Sequence, residues 1–202
     1  MNKLKLSYPV ETVIISQVFG VKGQFYTNQG MLGHNGLDMM AQDGYPVYAM
    51  HDGLTSCQID AGGGHGVVIV TDKEYDDENG GQCLYKSIYW HLVDGYKYPK
   101  WKSPFQDKTG FTKVRTGELI GYADNTGASS GSHLHIGLKR CLKGEDWGTF
   151  ENLDQMNGYH GAINPMPFFN GSYPQTIHNL EAQVNVLQKI VDLLKQLFKT
   201  PK

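Results

Sequence analysis

The strongest constraint on what this chain can fold into is a series of short apolar runs: "PVYAM" (46–50), "GVVIV" (66–70), "KSIYWHLV" (86–93) and "HLHIGLK" (133–139). Runs of this length, rich in Val, Ile and Tyr and bounded by turn residues, are strands rather than helices. The intervening "HDG" (51–53), "AGGG" (61–64), "ENGG" (78–81) and "DNTG" (124–127) read as hairpin turns. No long helical period occurs before residue 174. The expected fold is therefore mainly β, a small antiparallel sheet. Two stretches without pattern, 94–111 and 141–164, are long for connections in a compact domain and read as groove-forming loops.

After "NGSYPQ" (170–175) the pattern changes. Ile177, Leu180, Val184, Leu187, Val191, Leu194 and Phe198 keep 3,4 spacing, the seam of a coiled coil or of a docked helix, while Ile190, Leu193 and Leu197 widen the apolar face. This predicts a sheet domain over 1–170, then a linker and C-terminal amphipathic α-helix over 171–202. The helix, 175–198, is placed for self-association, for docking on the body or for contact with a partner. Few Lys or Arg flank its apolar face, so a membrane-surface role is disfavoured.

With 202 residues, 40% hydrophobic, there is enough chain for one well-packed domain and an appendage. A formal charge of −2 with scattered Lys and Arg argues against nucleic-acid binding. Cys57, Cys83 and Cys141 are odd in number and far apart, without a CxxC, and read as buried free thiols. The start, "MNKLKLSYPVETVIISQ", lacks a signal-peptide apolar core, and no later segment suits stable membrane insertion. The chain is expected to be made in a cytoplasm.

The chemistry rests on histidine. A catalytic zinc normally has three protein ligands and one position open for water. Residues two apart on a strand share a face, so "HLHIG" (133–137) presents His133 and His135 together while Leu134 and Ile136 pack inward. In "GHNGLDMM" (33–40), His34 and Asp38 lie four apart on one face of a strand or helix, with Gly36 between them leaving room for an ion. His91, in "IYWHLV", sits in an apolar run where an imidazole needs a polar partner or a task. Taken singly, each histidine reads as a half-buried strand residue with a hydrogen bond. Taken together, four nitrogen donors and a carboxylate fit a site better than coincidence. His51, His65, His160 and His178 read as exposed polar residues of turns, loops or a helix start.

Other chemistries are excluded by motif. The chain has no HExxH, GxSxG or GxxxxGK[ST], and "AGGGHGVVIV" does not supply GxGxxG. "DKEYDDENGG" places no glycine at the sixth position from an Asp suited to open a calcium loop and reads as a solvated hairpin end.

The ordered set "SQVFG", "HNGLD", "GYPVYAMHDG", "GGGHGVVIV", "IYWHL", "VRTGELIGYADNTGASSGSHLHIGL" and "INP", spanning about residues 12 to 168, resembles the lysostaphin/LytM-type zinc metallopeptidases. These cut peptide bonds in bacterial peptidoglycan. The resemblance implies one zinc at the floor of a groove walled by four loops, held by His34, Asp38 and His135, with His91 and His133 as non-ligating catalytic histidines. Two imidazoles and one carboxylate would leave the ion net positive, able to activate water and polarise a peptide carbonyl. The histidines would share the proton and oxyanion work. The implied activity is a zinc endopeptidase acting on cross-bridge or stem peptide. The alternative is a non-catalytic wall-binding or activator module, as in relatives that have lost ligands.

His65 departs from the resemblance, standing where relatives often carry Tyr or Asn. Tyr26, in the long loop before "HNGLD", reads as a surface tyrosine, the alternative being a phenol aimed at the groove. Tyr96, Tyr98, Trp101 and Phe105 offer either a stacking surface for glycan or peptide, or a satellite core. A wall-cutting enzyme without a signal peptide suits a phage lysin or virion-associated lysin acting after release; export by another route is the alternative.

Overall fold

A computed structural model of the chain describes residues 2–77, 79–144, 150–174, 184, 186–192 and 194–195. In chain order the strands are β1 (Ile15–Gln17), β2 (Leu37–Met40), β3 (Pro46–Tyr48), β4 (Gly53–Asp60), β5 (Gly64–Val70), β6 (Tyr75–Asp76), β7 (Gln82–Leu92), β8 (Thr112–Val114), β9 (Leu119–Tyr122), β10 (His133–Lys143), β11 (Phe150–Asn152) and β12 (Ala162–Ile163). A single short helix, α1 (Gln24–Asn28), interrupts the loop between β1 and β2.

The main sheet runs β1–β2–β10–β7–β5–β4–β8, with β11 and β12 pairing on β10 and β6 on β7, while β3 and β9 form a separate pair. All of these pairings are antiparallel. The fold is thus mainly β, as the short apolar runs require. The "AGGG" and "ENGG" turns join strands that pair with one another, β4 with β5 and β6 with β7. "HDG" does not make a hairpin, since β3 leaves to pair with β9; "DNTG" opens a loop closed only by one antiparallel bridge, Asp124 to His133, while β10 pairs with β2 and β7. Turn chemistry reports a change of direction and not the identity of the next partner.

β10 organises the site. Leu134, Ile136 and Leu138 are fully buried against Tyr85 and Tyr89 of β7 and Val67 and Ile69 of β5. Each such aliphatic side chain contributes about 1.5–3 kcal/mol by leaving water. The intervening positions, His133, His135 and Gly137, then necessarily share the opposite face. The N-terminal segment closes the other end: Leu6 bridges Phe169, and Tyr8 stacks on Phe169 with ring centroids 4.5 Å apart.

The 94–111 stretch divides between the two readings. Phe105 belongs to the main core and the Trp101 ring covers Gly44, while Tyr96 and Tyr98 stay exposed. Cys83 and Cys141 are buried free thiols and Cys57 is a half-buried one. No helix among the described residues is long and apolar enough to cross a membrane. In the C-terminal tail the described residues are helical, and Val184, Leu187, Val191 and Leu194 are exposed; Ile177, Leu180, Leu193, Leu197, Phe198 and His178 lie outside the described residues.

Candidate metal centre

Antiparallel register brings the two sequence clusters together. Asp38 on β2 is the direct cross-strand partner of His135 on β10, and Met40 that of His133. His34 is not on a strand: it lies in the loop before β2, where its N–H donates to Val21 O (2.8 Å) and its carbonyl accepts from the Gly20 N–H (2.8 Å). Its Nδ1–H donates to Val18 O at 3.1 Å, which fixes the tautomer and turns Nε2 toward Asp38 and His135.

Three candidate donor atoms converge. His34 Nε2 is 3.0 Å from His135 Nδ1 and 3.1 Å from Asp38 Oδ1, and His135 Nδ1 is 3.0 Å from Asp38 Oδ1. For all three to act as acceptors at once, a cation or a proton must sit among them. Two imidazole nitrogens and one carboxylate oxygen form a donor set suited to zinc, whose tetrahedral bonds of about 2.0–2.1 Å place ligand atoms roughly 3.3 Å apart. The group could hold a metal ion with little relaxation. Burial alone would push the Asp38 carboxyl up, but contact with the His135 and His34 nitrogens outweighs it and holds the group well below the usual carboxylate range.

Gly36 plays a different part from the one its place in HxxxD suggests. A Cβ there would overlap the Ile136 carbonyl and the His135 ring, so the space it frees is occupied by the His135 imidazole rather than by an ion.

His91 and His133 complete the set of five. The His133 ring is 4.6 Å from that of His91 between centroids, and its Nε2 is 3.7 Å from Asp38 Oδ1. His133 Nδ1–H donates to Gly131 O (2.8 Å) and His91 Nδ1–H to Thr126 O (2.7 Å). Both rings therefore present Nε2 as the free nitrogen. Burial pulls His91 down to about 4, against the opposing Thr126 contact, so the ring is neutral at neutral pH.

Two aromatic residues, Tyr26 and Trp90, adjoin the site, and only the first was a candidate in the sequence. Tyr26 of α1 is half-buried, its ring 5.5 Å from that of His34, and its hydroxyl accepts a hydrogen bond from Gln17 Nε2. Burial, opposed by that hydrogen bond and aided by the Asp38 charge, raises the phenol pKa, so Tyr26 keeps a proton to donate. Trp90, cross-strand from His135, packs where a Cβ on Gly63 or Gly66 would stand, which accounts for glycine in "GGGHG".

His51 and His65 also differ from their reading as exposed polar residues. His51 is 2% exposed; its Nε2 meets Ser87 Oγ and its Nδ1–H donates to Asp52 O, each at 2.8 Å. His65 lies 3.7 Å from Asp94 and, with Asp60, Lys97, Tyr98 and Asp124, lines a cleft of about 540 Å³.

The family model of peptidase family M23 matches residues 32–147, more than half of the chain. The chain belongs to peptidase family M23. All five clustered residues fall inside the M23 match, and the C-terminal tail falls outside it. Over 141 residues the chain is 28% identical to the glycyl-glycine endopeptidase ALE-1 of Staphylococcus capitis, covering 69% of this chain and 30% of that protein. Over 102 residues it is 34% identical to the DD-carboxypeptidase/endopeptidase Mpg of Neisseria meningitidis serogroup B, covering 50% of this chain and 19% of that protein. The M23 chain thus spans less than a third of the length of either relative. A zinc-containing peptidase from Vibrio cholerae shares its fold, with a TM-score of 0.50 at 21% identity over 81% of this chain and 41% of that one.

Proposed function

We propose that this M23 chain is a zinc-dependent endopeptidase that hydrolyses peptide bonds in bacterial peptidoglycan. The observation that carries the reading is the convergence of His34 Nε2, Asp38 Oδ1 and His135 Nδ1 within 3.0–3.1 Å of one another, beside two further histidines whose Nδ1 atoms are tied to carbonyls. The three converging residues would hold one zinc. When bound, zinc supplies Lewis acidity, which lowers the pKa of a coordinated water and polarises a carbonyl.

The rest falls to the chain's own groups. His91, neutral at neutral pH, and His133 present their Nε2 atoms to accept or pass on a proton. Tyr26, accepting from Gln17, directs its own hydroxyl proton to a developing oxyanion. Gly36 and Val18 O fix the rings of His135 and His34 so that neither has to reorient.

The test is metal content and wall lysis together. Purified protein should hold about one zinc, lyse walls, and lose lysis on chelation and in His135→Ala. Zinc binding without cleavage would instead identify a wall-binding or activator module, and lysis surviving His135→Ala would remove the assignment. Mass spectrometry of fragments released from purified walls identifies the bond cut.

A further inference from the structure

We propose that Thr126 is a positioning residue for His91: with the carbonyl of Gly63, it holds His91 in a left-handed backbone conformation that brings the imidazole to the face carrying His133 and His135. The proposal rests on the catalytic reading of His91.

Strand alternation does not place His91 in the site. Tyr85, Ser87 and Tyr89 of β7 point into the core, at 1%, 0% and 0% exposure, and Trp90 shares the face of its cross-strand partner His135. Continued regular strand would send His91 inward after Tyr89. Instead His91 has φ 63°, and its ring lies 4.6 Å from that of His133 and 6.0 Å from that of His135. Left-handed backbone is unfavourable for a residue with a Cβ and persists where surrounding contacts impose it.

Those contacts come from two turns. The His91 N–H donates to Gly63 O (3.0 Å), and the His91 carbonyl accepts from the Asp124 N–H (2.8 Å). The imidazole Nδ1–H donates to Thr126 O at 2.7 Å. Thr126 is itself anchored on both sides, its Oγ1 donating to Leu92 O (2.7 Å) and accepting from the His65 N–H (3.1 Å). The turns interlock through glycine: Gly64 and Gly127 have φ 70° and 78°, and a Cβ on either would overlap the other turn. One hydroxyl therefore ties the "DNTG" turn to Leu92, next to His91, and to Leu92's cross-strand partner His65, and the carbonyl of the same residue sets the His91 tautomer.

Thr126→Val keeps the shape and removes the hydroxyl; Thr126→Ser keeps the hydroxyl. In the full zinc-loaded chain acting on soluble cross-linked peptidoglycan fragments, Thr126→Val should lower kcat about tenfold or more, the scale of a displaced acid–base group. KM and zinc content should not change, and Thr126→Ser should restore most of the rate. In a His91→Ala background the Thr126→Val change should have no further effect on kcat, since a residue acting through another loses its influence when that residue is gone. In metal-free protein, 15N NMR should show His91 as the Nδ1–H tautomer in the wild type and in Thr126→Ser, and as a mixture in Thr126→Val. An unchanged tautomer, or the same proportional loss of rate with and without His91, would overturn the proposal. A wild type that neither binds zinc nor cleaves would defeat the functional reading instead, while the NMR comparison would still test the clamp.

Discussion

The backbone of Gly36 packs against the imidazole of His135, so close that a Cβ would fall 2.6 Å from Cε1 and 2.7 Å from Nε2 of the ring. His135 thereby presents Nδ1, and not Nε2, to Asp38 and His34. Gly36→Ala should push the ring out of register: zinc affinity falls tenfold or more, on the scale of losing an orienting contact, and overpacking costs roughly 1–3 kcal/mol. Zinc titration and thermal unfolding of the metal-free protein measure the two effects separately. Wild-type affinity in the alanine variant would mean that the ring is not held by this contact.

Tyr26→Phe removes one hydroxyl and leaves the ring beside His34. If the phenol donates to a developing oxyanion, kcat should fall by about 10²-fold with zinc content intact, the scale of a lost oxyanion donor. Gln17→Leu should give a smaller loss, because its amide acts by orienting the hydroxyl through their hydrogen bond. Full activity in Tyr26→Phe would return Tyr26 to the role of a loop residue.

What the sequence made legible follows the periods that strands impose. Alternation in "HLHIG" correctly placed His133 and His135 on one face with Leu134 and Ile136 buried. The same rule would have put His91 in the core; an imidazole in an apolar run marked it as a candidate and the family resemblance gave it a role, but the positive φ that brings it to the site has no period to announce it. For Tyr26 the sequence left two readings, a surface tyrosine or a phenol aimed at the groove, since a loop residue's neighbours depend on where the loop folds back. His51 looked like a turn residue because "HDG" looks like a turn, yet the chain there enters the core, where Met50 N–H donates to the Tyr89 hydroxyl and His51 meets Ser87. Local chemistry identified the strands and their faces, and long-range pairing decided the rest.

His51 gives a pH prediction with a defined sign. Burial lowers its pKa, despite the opposing Asp52 carbonyl, and no carboxylate is among its hydrogen-bond partners. The folded state therefore binds fewer protons at this ring than the unfolded chain, whose histidine titrates at about 6.5. The contribution is fully present above that pH and is lost as pH falls below it; His91, held down at about 4, acts in the same direction. Urea unfolding of metal-free protein between pH 8 and 5 should show stability declining below about pH 6.5, by at most about 1.4 kcal/mol per pH unit for each such histidine. His51→Gln should flatten the decline; an unchanged slope would show that His51 is not responsible.

The tail carries the last prediction. Val184, Leu187, Val191 and Leu194 keep the 3,4 spacing of a coiled-coil seam and are 42–62% exposed. An exposed apolar stripe of this kind is unfavourable in water and gains by pairing. Val at one seam position and Leu at the other is the arrangement that favours two-stranded association. Deleting residues 175–202, which lie outside the M23 match, should leave zinc uptake unchanged, because all three candidate ligands belong to β2, β10 and the loop before β2. The deletion should lower the mass in solution seen by light scattering, or weaken binding to purified walls if the stripe meets wall material instead. Unchanged mass together with unchanged wall binding would mean that the stripe serves neither purpose.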